Sequence, residues 1–165
     1  MSVKAKSVAF TLALSLSVSP VFAQTDEVEL TVISRLCHAG KVYQPDILVS
    51  IFEVDKAQHL IRLWREYERN GIASSSAEIQ RLMDSYNRLE QAVERLTPAL
   101  ARSPQQLDSQ YKFRLPIDKK LVVFGRTMAE GEASAFAAAE FLPKAGLQNQ
   151  VVLNYGPDSA SGKCQ

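Results

Sequence analysis

Apolar and polar residues alternate from Val28 to Arg35, with Val28, Leu30 and Val32 on one side and Glu27, Glu29 and Thr31 on the other. That period of two predicts a half-buried β-strand. Gly40 marks a bend and Gln44-Pro45-Asp46 a turn. Ile47 to Val54, rich in β-branched and aromatic residues, then predicts a second strand. From Asp55 the period changes. Leu60, Ile61, Leu63, Trp64 and Tyr67 recur at helical intervals until Asn70-Gly71 stops the run. Ser75, followed three residues later by Glu78, forms a capping box that opens another helix. Ile79, Leu82, Tyr86, Leu89, Val93 and Leu96 then recur at steps of three and four, a narrow stripe of the kind that packs along one partner helix. The pattern predicts an antiparallel helical hairpin over about 55–69 and 76–97, with Asp84 and Arg88 paired on its outer side.

The two-residue period returns after Pro104. Tyr111, Phe113 and Leu115 alternate with Lys112 and Arg114, Pro116-Ile117-Asp118-Lys119 turns the chain, and Leu121 to Thr127 predicts the next strand. Val151 to Tyr155 predicts a last short one before Gly156-Pro157. Ala133 to Leu142 is ambiguous: alanine favours helix, but the segment is short and stands among strands, which favours strand. Two strands alone are marginally stable, so neither β-rich block suffices by itself. The economical solution is an α+β fold: one antiparallel β-sandwich built from both ends of the chain, with the hairpin inserted at about 55–100.

The first 23 residues change where this body is expected to work. Lys4 and Lys6 precede an apolar run from Val8 to Val18, Pro20 ends it, and Val21-Phe22-Ala23 fits cleavage before Gln24. This is the pattern of a secretory signal peptide, too short for a lasting span. The expectation is export to the periplasm or medium of a 142-residue domain, 24–165, with no integral membrane segment after cleavage. Removing the two signal lysines leaves 17 basic residues against 18 acidic, a net charge of −1 that gives no reason to expect nucleic acid as partner. Cys37 and Cys164 are an even pair, and in an oxidising compartment a disulfide is the expected state, with two thiols or a dimer-forming cysteine as alternatives. The bridge would close a loop of about 127 residues, worth on the order of 4–5 kcal/mol in the chain-entropy account.

Gly40-Lys41 leads through Pro45 to Ile47-Leu48-Val49-Ser50-Ile51-Phe52, and Asp108 leads through Tyr111-Lys112-Phe113-Arg114-Leu115-Pro116 to Leu121-Val122-Val123-Phe124-Gly125. These stretches resemble the transthyretin-like sandwiches of the carboxypeptidase regulatory-domain type, over roughly 28–54 and 108–155. The chain departs from that pattern where Ser109 and Gln110 replace a turn glycine, where Lys119-Lys120 precede a strand, and in carrying the hairpin. The resemblance implies a transthyretin-like or immunoglobulin-like sandwich and an accessory, binding or structural role more than catalysis. The enzyme branch with this fold, a hydrolase of hydroxyisourate, ends in a tyrosine-arginine-glycine-serine signature; this chain ends Gly162-Lys163-Cys164-Gln165.

No set of residues rises to a catalytic or cofactor motif. His38 and His59 are the two histidines, too few and too far apart for the three or four ligands of a zinc site. No serine stands in a Gly-x-Ser-x-Gly turn. Paired carboxylates that meet only in the fold stay open as a hydrolase alternative. The hairpin is the most specific feature. Its stripe is expected to pack within the molecule, or else to present an apolar surface to a partner, with Trp64 and Tyr67 the candidate partner-binding residues. The reading at this stage is an exported, non-enzymatic module, without cofactor or metal, binding a protein or glycan of the bacterial cell envelope. An envelope hydrolase and a chaperone acting through the hairpin are the alternatives.

Overall fold

A computed structural model describes residues 27–38, 40–71, 73–97, 99–104, 108–116, 118–127 and 135–156. In chain order these form β1 (Glu27–His38), β2 (Lys41–Tyr43), β3 (Ile47–Glu53), α1 (Gln58–Arg69), α2 (Ser76–Arg95), β4 (Ala101–Arg102), β5 (Gln110–Pro116), β6 (Leu121–Thr127), β7 (Phe136–Phe141) and β8 (Asn149–Tyr155). The described residues thus make an α+β body of two helices and eight strands in two mostly antiparallel sheets.

The long strand β1 is the spine of the first sheet. Its Leu30–Leu36 stretch pairs with β8 on one edge. Its other edge is shared, by β5 along Glu27–Ile33 and by β2 along Leu36–His38. Ser34 lies at the gap between β5 and β2, where its amide donates to the Ser109 carbonyl (3.1 Å) and its hydroxyl to the Pro45 carbonyl. The second sheet runs β4-β3-β6-β7. An isolated bridge, with the Ile47 amide donating to the Asp108 carbonyl at 2.9 Å, ties the start of β3 to the approach to β5.

Alternation decides what each face buries. Leu30 and Val32 of β1, Tyr111 and Leu115 of β5, and Val151, Leu153 and Tyr155 of β8 meet Ile47, Val49, Ile51, Leu121 and Val123 from the second sheet in one apolar cluster. The intervening residues of the second sheet, Phe52, Val122, Phe124 and Phe136, point the other way and meet Leu60, Ile61, Leu89 and Val93 of the helices. Phe52 and Phe124 pack edge to face at 6.2 Å beneath the hairpin. Burying either ring is worth roughly 1.5–3 kcal/mol. The result is three layers: sheet, sheet, helical hairpin.

Most predicted elements are present, including the strand at β7 and the capping box. The Ser75 hydroxyl accepts from the Glu78 amide at 3.3 Å, and Glu78 accepts from the Ser75 amide at 3.0 Å. The hairpin's stripe packs within the molecule, as the cover of the second sheet. Two points differ from expectation. First, β1 and β8 run parallel, so the sheets are not wholly antiparallel. β8 arrives from the other sheet through 142–148, and a strand that crosses between sheets escapes the hairpin geometry that makes neighbours antiparallel. Second, Arg88 makes no ion pair with the Asp84 carboxylate, although its Nε donates to the Asp84 main-chain carbonyl at 3.3 Å. Its Nη2 donates across the hairpin to Glu66 Oε1 at 2.6 Å, while Asp84 accepts from Gln80 at 2.9 Å. With its Nε at the Asp84 carbonyl, the Arg88 fork reaches across to Glu66 and not back to the Asp84 carboxylate.

Candidate functional site

The predicted site residues are scattered. Cys37 lies in β1 opposite Val42, 2% exposed, and no free cysteine occurs among the described residues. Cys164 lies outside the described residues. His38 ends β1 and His59 is on the solvent side of α1, so the two histidines belong to different layers. Trp64 and Tyr67 are half-buried members of the layer that seats the helices on the second sheet. Tyr67 packs edge to face on Tyr86 (6.2 Å) and Phe136 (6.4 Å), and its phenol oxygen accepts from the Phe136 amide at 3.4 Å. Burial pushes that phenol above its ordinary range, with the Phe136 amide opposing. The Trp64 indole nitrogen is enclosed, with no hydrogen-bond partner among the described residues.

Two concavities flank the hairpin, and they differ in how their charges are used. The inner one, about 220 Å³, lies between α2 and the second sheet and includes Ser50, Glu90, Glu94, Arg102, Ser103 and Arg126. Every cation in it is engaged. Arg126 pairs with Glu90 and, at 3.4 Å, with Glu94. Arg102 donates to the Val93 carbonyl (2.8 Å) and the Leu96 carbonyl (3.1 Å), and its guanidinium sits 5.6 Å from the centre of the Phe52 ring. Those carbonyls are the orphans left at the end of α2, and a guanidinium there completes them and favours the negative end of the helix dipole. This pocket closes the structure.

The outer concavity is a groove of about 570 Å³ between α1 and α2. Leu60, Leu63, Ala92 and Leu96 supply its apolar residues, and Lys56, His59, Arg88 and Arg95 its basic ones. No carboxylate lines it among the described residues. It adjoins a shallower hollow on α1 lined by Arg62, Arg65, Glu68 and Arg69, and at the hairpin tip another lined by Arg69, Arg81 and Asp84. The acids nearby are largely committed. Glu66 is held by Arg88. Burial pushes the Glu68 carboxyl above its ordinary value, with Arg65 opposing. By contrast Arg62, Arg69, Arg81 and Arg95 have no carboxylate within 4.0 Å among the described residues. Arg69 and Arg81 instead donate to carbonyls one turn back on their own helices.

The sequence reading missed this face, although a signal was present. Arg81, Arg88 and Arg95 recur every seven residues, and Arg62, Arg65 and Arg69 at steps of three and four. No family model, curated protein or solved structure matches the chain.

Proposed function

We propose that the chain is an exported, non-enzymatic binding module of the bacterial cell envelope, with a transthyretin-like or immunoglobulin-like sandwich as its scaffold and a protein or glycan as its partner. One observation carries this reading: the outer groove couples an apolar floor to a basic rim that no carboxylate of the described residues lines, and on which Arg95 has no carboxylate within 4.0 Å among them. Convergent polar groups over an apolar floor are what ligand grooves share. The inner pocket offers two carboxylates, Glu90 and Glu94, but both are bound by Arg126 and serve to join α2 to β6. That arrangement favours binding over a hydrolase. The scaffold proposal is supported by two facing sheets to which both ends of the chain contribute.

Export is supported by the leader pattern of the first 23 residues. A Cys37–Cys164 bridge fits the way β8 ends. Tyr155 pairs beside Leu36, and Gly156, at φ +87°, lies so close that a Cβ there would meet the Cys37 carbonyl at 3.1 Å. The chain therefore leaves β8 alongside Cys37, eight residues before Cys164.

The test is direct. The protein, expressed with its leader in a Gram-negative host, is fractionated and sequenced from its N-terminus, then immobilised and exposed to periplasmic proteins and to envelope glycans. The expected results are a mature chain beginning at Gln24 and retention of a component from one of the two pools. A chain kept in the cytoplasm with its leader intact, or no retention from either pool, refutes the reading.

A further inference from the structure

We propose that the chain forms a two-fold dimer through the free edge of β8, joining the first sheets of two copies into one continuous sheet. One edge of β8 is laddered to β1, and the other has no backbone partner among the described residues. β7 lies beside it but belongs to the other sheet and pairs with β6 alone. An unpaired row of main-chain donors and acceptors is a template for another strand, and edges that stay single carry charge or proline to prevent it. The other edge strands do so here: β2 carries Lys41, β4 Arg102, β5 Lys112, Arg114 and Pro116, and β7 Glu140. β8, from Asn149 to Tyr155, is seven residues long and holds no charge, glycine or proline.

The sequence of β8 selects a second copy as the occupant. A two-fold axis through Val152 sets Gln150 opposite Asn154 of the second copy, Val151 opposite Leu153, and Val152 opposite itself. The Gln150 and Asn154 amides are exposed, with no hydrogen-bond partner among the described residues. Each carries a donor and an acceptor, so they satisfy one another, and the symmetry makes the pair twice. On the axis, Val152 (38% exposed) stands beside the half-buried Ile33 of β1. Pairing therefore completes an apolar row across the joint, Ile33 and Val152 from each copy. No like charges meet there. The same operation on β5, with its axis through Phe113, sets Lys112 opposite Arg114 of the second copy, and like charges directly opposite repel. That contrast also limits the assembly to two copies: the axis consumes both β8 edges, and the β5 edges left at the ends of the joined sheet are charged. A strand pair of this length is a small joint, so the dimer belongs to the weak class, dissociating at roughly 1–100 μM.

The experiment uses the full mature chain and reads its mass by analytical ultracentrifugation over a range of concentrations. The parent is expected to pass from monomer to dimer as concentration rises, with no larger species. Val152→Lys and Val152→Glu each place like charges on the axis, and each is expected to weaken self-association at least about tenfold. Mixed in equal amounts, the two variants are expected to regain a dimer, because a lysine then faces a glutamate across the axis. Position 152 is exposed, and circular dichroism of each variant verifies its fold. A dimer formed elsewhere on the surface would show neither the loss nor the rescue. A parent that stays monomeric up to about 0.5 mM, single variants that dimerise as the parent does, a mixture that stays monomeric, or species larger than a dimer overturns the proposal. None of these arms involves an envelope component, so the dimer and the binding-module reading stand or fall separately.

Discussion

Gly125 tests the packing between the two sheets more sharply than any large residue. It lies in β6 opposite Val49 and Ala137, and a Cβ built on it would come within 3.0 Å of both the Tyr155 phenol oxygen and Leu153 Cδ1. Two effects of Gly125→Ala oppose each other. The backbone there is not in the left-handed region, so alanine reduces the freedom of the unfolded chain and stabilises by about 0.4–1 kcal/mol. Forcing a methyl into a filled core costs about 1–3 kcal/mol. The clash therefore wins, and the melting temperature is expected to fall by roughly 3–8 °C. Tyr155 identifies the cause. Its ring is 3% exposed, its hydroxyl has no hydrogen-bond partner among the described residues, and burial pushes its ionisation above the ordinary range. Tyr155→Phe removes a desolvated, unpaired hydroxyl and is expected to leave stability unchanged or raised, by up to about 1–3 kcal/mol. In that background the close contact that remains for alanine at 125 is the movable end of Leu153, with Ile47 Cδ1 at an ordinary 3.5 Å. The two substitutions should then couple by at least about 0.5 kcal/mol in the relieving direction. Urea denaturation followed by circular dichroism, on both single variants and the double, gives the cycle. If Gly125→Ala is too unstable to purify, a folded double variant demonstrates the same coupling. A Gly125→Ala protein as stable as the parent, or two effects that simply add, refutes the contact.

Three more outcomes are expected. Hydrogen bonds from Ser74 and Ser75 hold the Glu78 carboxyl down to about 2 from an ordinary 4.5; the cap therefore stabilises fully above about 4.5 and fades as pH falls towards 2, a pH-dependence of melting that Glu78→Gln should flatten. Asn149 clamps the preceding loop, its side-chain oxygen accepting from the Lys144 amide (2.9 Å) and its nitrogen donating to the Lys144 (3.0 Å) and Leu147 (3.2 Å) carbonyls. Asn149→Leu should cost about 1–3 kcal/mol in chemical denaturation and speed amide exchange across 142–148; unaltered exchange would count against the clamp. Reduction should lower stability by on the order of 4–5 kcal/mol if Cys37 and Cys164 are joined, and Cys37→Ser/Cys164→Ser should remove that sensitivity. A midpoint indifferent to reductant argues against the bridge.

Element type was legible wherever one face alone is buried. β5 and β8 alternate cleanly because their outer face meets solvent, whereas β1 alternates only at its start and is then buried at Leu30, Thr31 and Val32 in succession; α2 carries both a stripe and a cap. The two shortest strands escaped notice: β2 has three residues, all exposed, and β4 has two. Nothing in two or three residues sets a period. The stacking of layers was less legible, although β6 held the clue. Leu121-Val122-Val123-Phe124 is apolar without alternation, which is how a strand covered on both faces reads. Followed through, that run calls for a third layer, and the hairpin is the one element able to supply it. Period also does not say what covers a stripe: Leu89 and Val93 are buried against the sheet, whereas Ile79 (53% exposed) and Met83 (45%), nearer the start of the helix, face water. The aromatic residues singled out on α1 were recognisable as important, but sequence cannot separate an anchor for a partner from an anchor for the molecule's own sheet. The basic groove is less legible, because it exists only once the arginine rows of two helices lie side by side.

The side-by-side run of β1 and β8 has a consequence for how such a chain comes into being. Strand β1 meets β2 early, but its two longer neighbours, β5 and β8, come from the second half of the chain, as does β6, the partner of β3 in the other sheet. Contacts so distant along the chain make for slow assembly. A polypeptide whose first sheet stays incomplete until β8 has been made is the kind that a translocation channel can thread.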